Sequence, residues 1–570
     1  MAELVDALDS KSSSFESAGS IPASSTKKKN MSQKTNYSAL TTLTTVFFFW
    51  GFIAAGNSVF IPFCKTYFNL DQFQSQLIDF AFYGAYYLGA LALFLFGSSS
   101  GKDLIGVWGY KKSIVYGLLF SALGAIAMIL SVYFNLFTGM LIGLFIVALG
   151  FSLQQTSANP FMISLGDEAT GSSRINLGGG INSLGTTIGP LIVSLSLFGT
   201  ASAISEEMII SLSLSKVIIL YACVGILFIS IAALFGLSKR VPEGKVKITE
   251  DEQTDNVTKA TKTLLIITGL LIISFAPVFY SYKPNLNWNI NDAENIRIIG
   301  WSAGLIIIIV GLIYASIKGV KERKGWGAMQ YPQLTLGMIA IFLYVGVEVA
   351  IGSNLAELLS KKKFGGYNSS QIAPFISMYW GSLMIGRWGG AISVFNLSKK
   401  TKKILRFFVP LIAFSIVLIL TKFSGYKIDS LYWYFLCVII QIIAFFITKD
   451  KPAYTLAVFS ALGVVSTIIG LNTSGMLAVY SFLSTGLFCS IMWPCIFSLS
   501  LAGLGKLQTQ GSAFLVMMIL GGAIIPPLQG KISDLIGIQP SFIVGTICFT
   551  YLLFFAILVK KILKEKKINF

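Results

Sequence analysis

VALGFSLQQTSANPFMISLGDEATGSSRINLGGGINSLG, residues 147–185, consists of two apolar segments carrying amides, hydroxyls, a proline and a run of glycines, joined by a short charged turn. Its flanks are so apolar that these polar groups must lie at membrane depth. Polar side chains there are costly and usually face a cavity or partner helices. Ser152, Gln155 and Asn159 recur at spacings of three and four, so they share one helix face. Asn159-Pro160 then interrupts the backbone ladder. Past the turn, Asn182 and Thr186 share a face with Gly178, and the run Gly178 to Gly180 lets a neighbouring helix approach closely. The glycine spacing fits neither GxGxxG nor a P-loop, and no strand precedes it, so it does not read as a phosphate cradle. The stretch reads as the centre of a solute pathway.

The rest of the chain agrees with a membrane setting. It has 570 residues, of which 54% are hydrophobic and 12% charged, far too apolar for several soluble domains. Unbroken apolar runs such as 263–276 and 298–314 are helical spans, whereas barrel strands would be short and alternating. The net charge of +18 comes from short basic clusters between apolar runs, which suits the inner loops of a membrane protein better than a nucleic-acid surface. The six cysteines show no paired CxxC spacing, so neither a disulfide framework nor a zinc site is suggested. The chain has no histidine, which excludes an imidazole proton relay and any His-ligated metal or haem.

Sixteen apolar segments can be counted, near 41–64, 75–98, 113–133, 137–163, 174–199, 215–237, 263–282, 297–317, 333–358, 371–393, 404–421, 430–448, 453–471, 474–502, 511–530 and 541–560. Only Asn472 and Thr473 separate the segments 453–471 and 474–502, so a kinked or re-entrant arrangement is one expectation there. Residues 1–38 read as a disordered extension. Within it, residues 1–30 resemble a translated transfer-RNA gene at Leu4 to Ala7 and Gly19 to Pro22, which makes Met31 the expected start. The charged stretch 238–262 reads as a solvent-exposed linker. Cations gather in alternate loops, at Lys111 and Lys112, 238–262, 318–324, 399–403, 449–451 and in the tail 561–570, with Lys361 to Lys363 the main exception. Both termini are therefore expected to be cytoplasmic, as an even number of spans requires.

Charged groups within spans are the more informative ones, because a carboxylate at mid-bilayer costs on the order of 2.5–3.5 kcal/mol on insertion scales. Glu348, in FLYVGVEVAIGS, lies well inside its segment with Tyr344 one turn before it. Asp79, about one turn from the end of its span, also fits an ordinary helix N-terminal charge near the interface. Arg387 lies near the cytoplasmic end of its segment and is expected to snorkel or pair structurally. Trp380, seven residues earlier on the same face, is suited to stack on a sugar ring or simply to pack. Asn57 and Ser58 precede Pro62 in the first span, and side chains of this kind also serve to bond neighbouring helices.

The sequences FFFWGFIAAGNSVFIPF, QQTSANPFMISLG, SSRINLGGGINSLG, FLYVGVEVAIGS, MYWGSLMIGR, SIMWPCIFSLSLAGLG and GSAFLVMMILGGAIIPPLQGKISD resemble, in order, the fucose:proton symporter and glucose/galactose transporter family of the major facilitator superfamily. The resemblance implies an all-α polytopic membrane protein with the major facilitator fold: two six-helix halves, a sugar site between them and alternating access by rocking. The halves would be 39–237 and 331–560, with about four additional helices, one pair in 238–330 and one near 430–471. The family's L-fucose member uses two membrane carboxylates, and by alignment their positions fall on Ser58 and Gln155, neither of which titrates in the physiological range. A further sugar-contacting amide is retained as Asn182, and Glu348 stands where the fucose member has a glutamine.

The expectation is therefore a transporter of a hexose such as glucose, galactose or fucose in an inner membrane, and not an enzyme. Asn57, Ser58, Gln155, Asn159, Asn182, Glu348 and Trp380 would line its site. Facilitated diffusion, sodium symport and proton symport through Glu348 or Asp79 all stay open, so the only accessory species expected is a co-transported proton or sodium ion. No cofactor, metal or nucleic-acid partner is expected, and lipid surrounds the chain. A membrane-embedded enzyme is the first rival, but HExxH, a serine-histidine pair and a ligand cluster are all missing from the sequence. A sugar receptor without transport is the second.

Overall fold

The computed structural model describes residues 35–67, 72–100, 103–199, 214–245, 257–282 and 289–568. The side chains of residues 54–67, 72–77 and 79 lie outside that description, and with them the expectations for Asn57, Ser58 and Asp79. The same holds for the extension up to residue 34. Among the described residues every regular element is helical. In a bilayer a backbone must satisfy its own hydrogen bonds, and a helix does so within one segment.

The long helices are α1 (Tyr37–Tyr67), α2 (Gln72–Ser100), α3 (Tyr110–Tyr133), α4 (Phe137–Ser164), α5 (Gly171–Phe198), α6 (Leu214–Leu237), α7 (Thr258–Tyr280) and α8 (Ile290–Glu322). They continue as α9 (Pro332–Ser360), α10 (Ser369–Ala391), α11 (Lys399–Phe423), α12 (Phe435–Thr448), α13 (Pro452–Asn472), α14 (Gly475–Leu501), α15 (Gly505–Ile536) and α16 (Ile543–Glu565). Fourteen helices among the described residues are long and apolar enough to cross a membrane. The other two expected spans fall on α1 and α10. α10 is the more polar because it carries Trp380, Arg387 and several glycines and packs against helices on several sides. No re-entrant loop forms between α13 and α14; the irregularity lies inside α14, which breaks between Cys489 and Met492.

In the first half, α3 packs on α4 and on α6, and α2 packs on α4. In the second half, α13 packs on α14 and on α16, while α11 packs chiefly on α10 and α12 and meets the short turn at Ile392–Val394. By this internal correspondence α13, not α11, is the third helix of the second half. On this packing the pair without a counterpart in the first half is α11–α12, within 399–448, beside the expectation of a pair near 430–471. Apolar run length alone cannot make this distinction, because all three helices are equally long enough to span.

The other added pair, α7–α8, bridges the halves from outside. On the first half, Thr268 and Tyr87 share a hydrogen bond of 2.8 Å, and Phe80 meets Phe279 edge-on at 4.6 Å. On the second half, α8 packs on α9 and α15, with Lys531 paired to Glu294.

The halves meet directly along α5–α10 and α2–α15. Gly179 and Gly180 explain the first contact. A Cβ on Gly180 would lie 2.7 Å from Trp388 Cδ1, and one on Gly179 would lie 3.2 Å from Arg387 Cδ. Further bonds join the halves near the start of α1: the Tyr37 hydroxyl donates to Val394 O at 3.0 Å, and Thr509 donates to the Asp103 carboxylate.

Candidate functional site

Two prolines shape the interior. Pro160 has no N–H, so Thr156 O in α4 lacks its helical partner, and Ser512 of α15 donates to it at 2.7 Å across the halves. Pro494 likewise leaves Ser490 O without a helical donor, at the break in α14. The Arg387 guanidinium takes it, Nε donating at 3.2 Å. At each of these two prolines a carbonyl is freed, and tertiary packing supplies its donor.

Arg387 is the hub of the site. Its Nη1 donates to the Ser183 hydroxyl of α5 at 2.7 Å, and its Nη2 lies 3.5 Å from the Tyr344 hydroxyl and 4.0 Å from Glu348. Tyr344 in turn donates to the Glu348 carboxylate. The two charged side chains keep only 12% and 15% of their surface exposed, so each neutralises the other in a mostly dry setting. Of the two expectations for Arg387, snorkelling to the membrane edge or structural pairing, the structure shows the pairing. Its neighbour Trp388 donates from Nε1 to Gly180 O at 3.1 Å, reinforcing the same seam.

Within otherwise buried helices, a few side chains keep some exposure. From Pro332 to Ala350 only Glu348 and Val349 retain any appreciable exposure, and from Ser481 to Leu501 only Trp493 does. On α10, Trp380, Arg387 and Trp388 are half-buried. Trp380 lies against Gly352, one turn beyond Glu348, where a Cβ would sit 2.9 Å from its Cζ2. The adjacent Tyr379 hydroxyl donates to Glu348 O at 2.7 Å. Glu348 and Trp380 are thus brought together as one wall, built by the second half.

The first half supplies the other candidates. Gln155 is half-buried and its Nε2 donates to the Tyr86 hydroxyl at 3.2 Å. Asn182 is half-buried beside Ser183, with Nδ2 donating to Phe47 O of α1 at 3.0 Å. Asn159 differs: it is 2% exposed and its Nδ2 is spent on Gln155 O at 3.0 Å, within its own helix. The adjacent Gln154 is wholly buried in a bond to Ser121 at 3.1 Å and supports the helix. Among the described residues no cluster of His, Cys, Asp and Glu forms a metal site.

Sequence reasoning missed Arg387, Tyr344 and Trp493 as site residues. A signal existed for the first, since an arginine in a glycine-rich span beside a glycine-rich partner suggests close burial. None existed for the pairing with Ser183, 204 residues away.

No family model matches the chain. The glucose/galactose transporter of Brucella abortus biovar 1 (strain 9-941) is 28% identical over 545 residues, covering 95% of this chain and 100% of the relative. The putative glucose/galactose transporter of Helicobacter pylori (strain ATCC 700392 / 26695) is 26% identical over 534 residues, covering 92% and 98%. The L-fucose-proton symporter of Escherichia coli (strain K12) is 22% identical over 515 residues, covering 90% and 91%. The crystal structure of the major facilitator superfamily transporter FucP in the outward conformation matches with a TM-score of 0.60 and 21% identity, over 91% of this chain and 98% of that one. The resemblance carried by the ordered motifs thus extends over nearly the whole chain, and the fold is that of the major facilitator superfamily.

Proposed function

We propose that the protein is a secondary transporter that moves a monosaccharide across the membrane by alternating access. The observation that carries this reading is the seam between the halves. Ser183 of α5 meets the balanced Arg387–Glu348 pair there, and half-buried neutral groups (Gln155, Asn182) and indole rings (Trp380, Trp388) lie on the helices that form the halves. A monosaccharide needs neutral donors and acceptors plus an apolar face, and this mixture provides both. The pairing of Arg387 with Glu348 leaves no uncompensated charge at that point, which favours an uncharged sugar over a sugar acid. The relatives' names, glucose/galactose transporter and L-fucose-proton symporter, support the same substrate class and a transporter rather than an enzyme.

Coupling is assigned first to Glu348, the half-buried carboxylate paired with Arg387 at the seam, with Asp79, whose side chain lies outside the described residues, as the other candidate. Protonation would release Arg387 from its charge partner and leave it bound to Ser183 and Ser490 O, changing the hold of one half on the other. The location proposed is an inner membrane with both termini cytoplasmic. Uptake of labelled glucose, galactose and fucose into proteoliposomes, with imposed pH and sodium gradients, tests the reading. Saturable exchange is the expected result; binding without exchange would favour a receptor.

A further inference from the structure

We infer that Trp493 is a sugar-contacting residue, the ring against which an apolar face of the transported monosaccharide lies. The inference rests on the transport reading above and deepens it. Between Ser481 and Leu501, Trp493 alone escapes burial, and Cys489, Ser490, Ile496 and Phe497, its neighbours one turn away on either side, are all buried. A single exposed ring in an otherwise buried stretch, 6.3 Å from Tyr344 and so next to the Glu348–Arg387 pair, points toward the seam between the halves.

The local fold presents the ring deliberately. The helix breaks just before Trp493, at Ser490 and Ile491, and Arg387 holds the freed Ser490 carbonyl. The ring then stacks on Phe497 with centroids 5.6 Å apart and 28° between planes, and stands 6.3 Å from Tyr344, the partner of Glu348. One face of the indole is therefore backed by another aromatic, in a position fixed by a hydrogen-bonded break.

Its indole N–H has no hydrogen-bond partner among the described residues, whereas Trp50 and Trp388 donate theirs to Gln154 and Gly180 O. The polar tip of this half-buried indole is thus open to an acceptor on a ligand. A pyranose chair offers both halves of the match, axial C–H groups for the ring and a hydroxyl oxygen for the N–H. Tyr344 links this ring to Glu348, whose carboxylate would bond a further hydroxyl.

The test is uptake and counterflow of D-glucose, D-galactose and L-fucose by wild type, Trp493→Ala and Trp493→Phe in proteoliposomes, with sugar-induced quenching of intrinsic fluorescence read in parallel. Trp493→Ala should raise KM about tenfold with maximal rate within about twofold, and Trp493→Phe should restore KM to within about threefold. Sugar-induced quenching should shrink in Trp493→Phe, a readout that survives if the alanine variant fails to fold. An unchanged KM in Trp493→Ala, or unchanged quenching in Trp493→Phe, would overturn the inference while leaving transport intact. Absence of saturable exchange in wild type would overturn both it and the transport reading.

Discussion

Arg387 and Ser183, 204 residues apart and in opposite halves, share a hydrogen bond of 2.7 Å from Nη1 to Oγ. The same guanidinium also holds the carbonyl vacated by Pro494 and faces Glu348. One side chain thus links the seam, the break in α14 and the intramembrane carboxylate, and its chemistry is specific to a planar fork of donors.

Replacement of Arg387 by glutamine leaves Glu348 buried without its counter-charge. Loss of one partner of such a pair costs about 3–5 kcal/mol. The single variant should lose transport and show a lowered melting temperature in detergent, and Arg387→Lys should restore only part of it. The double variant with Glu348→Gln should be the more stable of the two, because no charge is then unpaired. A double variant no better than the single one would refute the charge-balance account.

If Glu348 carries coupling, Glu348→Gln should keep counterflow of sugar but lose stimulation by an imposed proton or sodium gradient. Asp79→Asn, measured alongside, separates the two carboxylates. An undiminished response in Glu348→Gln would remove it from that role.

Gly180→Ala places a Cβ 2.7 Å from Trp388 Cδ1 and disturbs the bond from Trp388 to Gly180 O. Overpacking of this kind costs about 1–3 kcal/mol, here borne by the contact between α5 and α10. Cysteine accessibility at positions flanking this seam should rise, and transport should fall. Unaltered accessibility would mean that the indole simply moves aside.

For the α7 brace, Tyr87→Phe and Thr268→Val each remove one hydrogen bond of 2.8 Å. Interhelical bonds in membranes average roughly 0.6 kcal/mol, so each variant should lose little and a double-mutant cycle should return a coupling of that order. Phe80→Ala should cost more, since it strips the aromatic contacts with Phe275 and Phe279. Thermal unfolding of the three variants ranks the terms.

Asp103 lies between α2 and α3, outside the spans, and caps a short helix by accepting from Ile105 N at 3.1 Å. Burial raises its carboxyl above the ordinary value, against the lowering effect of bonds from Thr509, Gly106 and Ile105. A raised folded-state value means that the associated stability is complete below the unfolded value, near 3.8, and is lost as pH rises through the folded one. Asp103→Asn keeps a capping oxygen and should flatten that acidic-side slope in a melting-temperature profile. An identical slope in the variant would assign it to other groups.

The helices were legible because a span is a local property. About 20 apolar residues must cover about 30 Å and satisfy their own backbone, so run length and flanking charge suffice. The expected segments accordingly fall on α1 to α16 with ends that agree to within seven residues, and the family motifs point to the right fold. Which pair in the second half is the added one depends on which helix packs against α14 and α16, and apolarity does not record that.

By itself, then, the sequence determined the medium, the number and placement of helices, and the candidacy of Gln155, Asn182, Glu348 and Trp380. Only the tertiary structure decided which polar groups serve the helices and which meet at the seam between the halves. Asn159 is turned onto its own helix, whereas Arg387 is drawn inward to Ser183, Ser490 O and Glu348. The physical reason is that a proline announces a free carbonyl in the sequence, but the donor that takes it comes from a distant helix. For Thr156 O that donor is Ser512, and for Ser490 O it is Arg387.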